Sequence, residues 1–106
     1  MCALAIHVIA FAQTDTKKTE TFKVYGNCGM CKENIESALK KKEGVTSKNW
    51  SPKTKMLTVT YNPSKITLAQ IKEKIANAGY DTDSTKSNDE AYNKLMKCCQ
   101  YERPKK

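Results

Sequence analysis

Phe22-Lys23-Val24-Tyr25-Gly26-Asn27-Cys28-Gly29-Met30-Cys31 is the stretch on which the reading of this chain turns. A short apolar run, Phe22 to Tyr25, leads into a tight loop, and a helix-patterned segment opens at the second cysteine. Upstream, Glu20 to Tyr25 alternates, with Phe22 and Val24 on one face and Thr21, Lys23 and Tyr25 on the other. That is the pattern of a half-buried strand. Downstream, Cys31, Ile35, Ala38 and Leu39 recur at helical spacing, and Gly44 marks the expected end of the helix. The two thiols therefore fall at a strand-to-helix turn, and both sulfurs are expected to project from one exposed corner. The helix that begins there aims its free N–H groups and positive dipole end at them, which favours the metal-binding thiolate. Redox enzymes and zinc sites share the CxxC spacing, so the order of the surrounding elements decides between them.

Val45 to Trp50 predicts a second strand with Lys48 and Trp50 on the same side, and Ser51 to Lys55, containing Pro52, a turn. Met56 to Tyr61 predicts the clearest strand, with Leu57, Val59 and Tyr61 inward, ended by Asn62-Pro63. Thr67 and Gln70 form a capping-box pattern for a second helix with Leu68, Ile71, Ile75 and Ala78 as its buried stripe. Gly79 suits the left-handed position after that helix, and Tyr80 to Asp83 supplies a short last strand. The order β-α-β-β-α-β predicts an α+β, ferredoxin-like sandwich, with two helices on one face of a four-stranded antiparallel sheet. Lys40-Lys41-Lys42 is expected in the last turn of the first helix, where cations complement the dipole.

At 106 residues the chain reads as one domain with additions. Residues 1–12 read as a secretory signal peptide, because Cys2 to Ala12 is almost wholly apolar and ends in Ala10-Phe11-Ala12. No Lys or Arg precedes the run, and it is too short for a membrane span, which needs about 20 apolar residues. Residues 13–19 form a polar linker, 20–83 the domain and 84–106 a C-terminal extension. The expected compartment is therefore the periplasm after export, with the cytoplasm as the alternative. Cleavage before Gln13 would remove Cys2 and His7, the single histidine, and leave Cys28, Cys31, Cys98 and Cys99 of the five cysteines. The two remaining pairs are too closely spaced to staple a scaffold, so the thiols read as site chemistry first.

The formal charge is +8. Lysines are spread through both helices and the tail without interleaved aromatics, which argues against nucleic acid and for a solvated face or docking to acidic partners. No general base beside a nucleophile, phosphate loop or carboxylate pair is evident, so no enzyme is expected.

The CxxC between first strand and first helix, Gly44-Val45 opening the second strand, Tyr61-Asn62-Pro63 after the third, and Ala78-Gly79-Tyr80 after the second helix resemble the heavy-metal-associated domain. Soluble copper chaperones, periplasmic mercuric-ion-binding proteins and the N-terminal domains of metal-pumping ATPases share that domain. The family usually reads Gly-Met-Xaa-Cys-Xaa-Xaa-Cys, whereas this chain has Gly26-Asn27-Cys28, one residue shorter, with its methionine at Met30 between the cysteines. The resemblance implies soft-metal binding and delivery through Cys28 and Cys31, with Cu(I) first and Hg(II), Ag(I), Zn(II) and Cd(II) as other ions. It implies a thiol-bearing acceptor, such as a metal-transporting ATPase or efflux component with an acidic docking face. It also implies a monomer, or a metal-bridged dimer. Asn27, Gly29 and Tyr80 are expected around the ligands without binding the ion, Tyr80 because bacterial copper chaperones resemble one another in placing a tyrosine beside the loop. A dithiol redox protein is the alternative, although Cys28-Gly29-Met30-Cys31 lacks the proline and preceding tryptophan of thioredoxin-like enzymes.

The tail carries Ala91, Tyr92, Leu95 and Met96 at helical spacing within Asn88 to Met96, followed by Cys98-Cys99 and a basic end. A helix of about ten residues spans about 15 Å and could bring the chain back to the metal corner. Cys98, Cys99 and Met30 are therefore supplementary ligand candidates, against a disulfide or solvent-exposed pair for the two cysteines and a solvent-facing Met30.

Overall fold

The computed structural model describes residues 16–27 and 29–104. The expected leader, its cleavage site, Cys2, His7 and Cys28 lie outside the described residues. Strands β1 (Lys18–Lys23), β2 (Val45–Trp50) and β3 (Met56–Tyr61) form an antiparallel sheet in the order β1-β3-β2. Helices α1 (Gly29–Ser37) and α2 (Leu68–Asn77) cover its inner face, giving the expected ferredoxin-like sandwich. Phe22, Leu57, Val59, Tyr61 and Trp50 meet Ile35, Leu39, Ile71 and Ile75 in the core. On the outer face Thr19 pairs with Thr60 and Thr21 with Thr58, hydroxyl to hydroxyl at 2.9 and 3.1 Å. Such cross-strand pairs stabilise a water-facing sheet surface.

Trp50 fixes the turn that leads into α1. Its indole N–H donates to the Val24 carbonyl at 2.9 Å, and its backbone N–H donates to Glu36 of α1 at 2.9 Å. Lys32 binds the same Glu36 carboxylate at 2.7 Å and the Trp50 carbonyl at 3.0 Å, clipping the helix to the end of β2. Gly26 is required by space: a Cβ there would lie 3.0 Å from the Trp50 ring and 3.3 Å from Cys31 Cβ.

Helix α1 ends at Ser37, short of Gly44, and Lys41–Glu43 form a separate 3₁₀ turn. The bonds Ala38 N–H to Ile35 O and Leu39 N–H to Glu36 O tighten the last turn, while Lys40 is already extended. The lysine triplet thus lies beyond the helix. Lys40 and Lys48 nevertheless donate to the carbonyls of Ser37 and Leu39 at that end. Helix α2 has its capping box, Gln70 N–H to Thr67 Oγ1 at 3.1 Å and Thr67 N–H to Gln70 Oε1 at 2.9 Å.

The expected fourth strand is reduced to one bridge between Val24 and Thr82, flanked by Tyr25 N–H to Asp81 O and Asp83 N–H to Lys23 O. Pairing stops because Thr82 N–H turns to the Thr85 carbonyl and its hydroxyl accepts from Ser84 and Thr85 N–H, which curls the chain away. The expected tail helix is likewise shorter. Asn88 caps a five-residue helix α3 (Asp89–Asn93), and Met96 is extended before a 3₁₀ turn at Lys97–Cys99.

The tail then returns across the domain. Tyr101 is buried, stacks on Tyr80 with centroids 5.6 Å apart, donates to Gly79 O at 2.7 Å and accepts from Asp81 N–H at 2.8 Å. Arg103 grips both Asp81 carboxylate oxygens, at 2.9 and 3.0 Å, and also bonds Ser87 O and Asp89. Gly79, at φ 105°, has the Ala91 carbonyl 2.9 Å from where a Cβ would stand, so tail and domain touch backbone to backbone.

Burial alone would raise the Asp81 carboxyl, but the Arg103 guanidinium and the Ser87 hydrogen bonds outweigh it and hold the group below its usual value. The ion pair therefore contributes fully above about pH 4, the ordinary carboxylate value, and is lost as pH falls through the depressed folded one. Arg103→Ala is expected to destabilise the docked tail by about 3 kcal/mol, because it strands a buried carboxylate. Hydrogen exchange should show this as faster exchange at Cys99 and Tyr101 amides with β3 unchanged. Asp81→Asn should abolish the acid-induced release expected of the parent chain.

Candidate metal centre

Cys31 occupies the first turn of α1 and is fully buried, not exposed at a corner as the loop pattern predicts, because the returning tail covers it. Its sulfur accepts the Asn27 backbone N–H at 3.3 Å. Asn27 thus turns its backbone back onto Cys31. Lys55 adds positive charge nearby, its ammonium donating to the Asn27 carbonyl at 3.4 Å and lying over the Trp50 ring. Positive charge and backbone donors at a helix start both favour a sulfur anion. Gly29, the first residue of α1, has open space around its Cα.

Tyr80 is fully buried at this corner, beside Cys31 and Cys99. Asn34 donates to the Tyr80 hydroxyl at 2.9 Å. Burial pushes the phenol well above its ordinary value, so it stays a neutral donor.

The tail brings its cysteines to the same corner and separates them. Cys99 is buried, with Asn34 Nδ2 3.8 Å from its sulfur and its carbonyl 4.0 Å from Cys31 Sγ. Burial, followed by its contact with Cys31, pushes the Cys99 thiol up to about 12. Cys98 is exposed, and its thiol points to Met30 Sδ at 3.7 Å, while its own carbonyl accepts from the Asn27 side chain at 3.1 Å. The two tail sulfurs are 4.0 Å apart. Among the described residues, no three His, Cys, Asp or Glu side chains form a ready-made metal cluster.

Three participants escape the sequence reading. Asn34 sits three residues after Cys31, on the same helical face, a spacing that could have flagged it. Tyr101 and Arg103 read only as part of a basic end.

A model of the heavy-metal-associated domain matches residues 21–81, more than half of the chain, and the chain belongs to that family. It is similar to the copper chaperone CopZ of Staphylococcus aureus, with 40% identity over 55 residues, 52% of this chain and 81% of that one. Among solved structures it is similar to a CopZ metallochaperone, with 38% identity and a TM-score of 0.58, covering 61% of this chain and 98% of that one. It is also similar to the N-terminal domain of a potential copper-translocating P-type ATPase from Bacillus subtilis in the Cu(I)-loaded state. There the identity is 28% and the TM-score 0.59, covering 69% of this chain and 100% of that domain. These relatives correct the expected periplasmic location: the chain is matched by CopZ copper chaperones. No helix among the described residues is long and apolar enough to cross a membrane. The family match stops at residue 81, before the tail that carries Cys98, Cys99, Tyr101 and Arg103.

The difference between the two tail thiols is measurable. In the metal-free protein, iodoacetamide should modify Cys98 at least about tenfold faster than Cys99, since the thiolate is the nucleophile and Cys99 is buried and neutral. Peptide mass mapping would read the ratio, and equal rates would contradict the docked tail.

Proposed function

We propose that this protein is a carrier of a soft metal ion, Cu(I) foremost, held by the thiolates of Cys28 and Cys31 and passed on by ligand exchange. The observation that carries the reading is the environment of Cys31. A backbone N–H meets its sulfur at 3.3 Å at a helix start, within the matched family stretch, with Tyr80 buried in the same core. Thiolates are soft ligands and select Cu(I) over harder ions. Zn(II) prefers four ligands, and a two-cysteine loop leaves it short. Hg(II), Ag(I) and Cd(II) share the preference for sulfur and are competing cargo. The role is binding and delivery, not catalysis, as in the metallochaperones it is similar to.

The acceptor we propose is the N-terminal metal-binding domain of a P-type ATPase, supported by the structural likeness to such a domain. The charge of +8 suits an acidic face on that partner. A dithiol redox role is a second reading, favoured by the 4.0 Å separation of the Cys98 and Cys99 sulfurs and the approach of the Cys31 sulfur to the Cys99 carbonyl. Thiol titration separates the two: a carrier's loop thiols become unreactive on loading with Cu(I) and return when the ion is removed.

Competition against a Cu(I) chelator should show tighter binding of Cu(I) than of Zn(II). The double variant Cys28→Ser, Cys31→Ser is expected to lose on the order of a thousandfold in Cu(I) affinity, about 4 kcal/mol. Unchanged affinity would refute the loop as the site.

A further inference from the structure

We propose that Cys99 is a third sulfur ligand to the ion held by Cys28 and Cys31, making the C-terminal extension a built-in cap on the metal centre. This rests on the reading of Cys28 and Cys31 as ligands. Three observations carry it. First, the Cys31 sulfur lies 4.0 Å from the Cys99 carbonyl, and Asn34 of α1 reaches both the Tyr80 hydroxyl, at 2.9 Å, and the Cys99 sulfur, at 3.8 Å, which brings the two cysteines to one buried corner. Second, Cys99 is fully buried at the α1 start, yet its sulfur has the Asn34 amide at 3.8 Å and the Cys98 sulfur at 4.0 Å. A cysteine that merely fills a core as a small hydrophobe sits among carbon atoms. Third, the tail is pinned at the cysteine pair and beyond it: Asn27 holds the Cys98 carbonyl, and Tyr101 and Arg103 anchor the chain that follows. These contacts offset the cost of ordering the tail, about 1–2 kcal/mol per residue for the backbone.

The geometry also assigns the two cysteines different parts. Cys99 is buried against Cys31, while Cys98 faces Met30 at the surface, so the vicinal pair contributes one ligand and not two. When the ion binds, the Cys99 S–H proton passes to solvent and the sulfur joins the metal as thiolate. A partner's thiol must then displace Cys99 in order to take the ion, and the exchange is slower than from a two-sulfur loop.

The test uses the full chain loaded with Cu(I), with X-ray absorption counting sulfur neighbours. Three Cu–S bonds are expected for the parent and for Cys98→Ser. Two are expected for Cys99→Ser and for Arg103→Ala, which frees the tail without touching a sulfur. Transfer to a Cu(I) chelator should run on the order of tenfold faster for Cys99→Ser and Arg103→Ala, because release rate tracks the bonds that must break. Two Cu–S bonds in the parent, with transfer rates equal to those of both variants, would overturn the cap. Loss of Cu(I) by the Cys28→Ser, Cys31→Ser variant keeps the underlying reading intact in that case. Full retention by that variant would overturn the underlying reading instead.

Discussion

Asp81 is the residue on which three parts of this molecule depend. Its carbonyl accepts the Tyr25 N–H and so joins the chain after α2 to the extension of β1. Its amide reaches the Tyr101 hydroxyl, and its carboxylate, with the side chain 1% exposed, takes two bonds from Arg103 and one from Ser87 N–H. A carboxylate that deep is tolerated only because it is paired and hydrogen-bonded, and removing one partner costs several kcal/mol. The sheet edge, the tail and the loop under the cysteines are coupled through that residue.

The elements legible in the sequence are those specified locally. Met56–Tyr61 is read to the residue because its alternation is strict and Asn62-Pro63 closes it. The second helix is read from a cap whose two hydrogen bonds form between residues three apart. The first helix is overrun because Ala38 and Leu39 continue its apolar stripe, and Leu39 is indeed buried, although from a turn beyond the helix. Periodicity reports burial and cannot tell a helix from a tight turn that buries the same side chains. The fourth strand is overestimated for a related reason. Tyr80, Asp81 and Thr82 are all buried, since the tail covers the side that an edge strand would show to water.

The candidate site divides in the same way. Cys31, Asn27 and Tyr80 follow from a short motif and the direction of a strand. The tail's approach also follows from chain length, but the means by which it is held does not. An aromatic docking surface of Tyr92 packed edge-on to Tyr101 at 5.0 Å, and a guanidinium paired with a carboxylate 22 residues earlier, leave no periodic trace. Such contacts between distant residues are visible only once the fold has placed both ends.

The close fit of the Ala91 carbonyl and Leu95 over Gly79 bears on where this molecule can be divided. A fragment cut at the family boundary, residue 81, would keep every strand and both principal helices and yet would not be a smaller version of the same protein. It would turn Tyr80 and the flank of Cys31 to water and leave Asp81 at the chain terminus without its guanidinium. The domain proper supplies the framework, and its interior is completed only by residues that follow it. In this chain the unit of folding extends past the unit of family likeness.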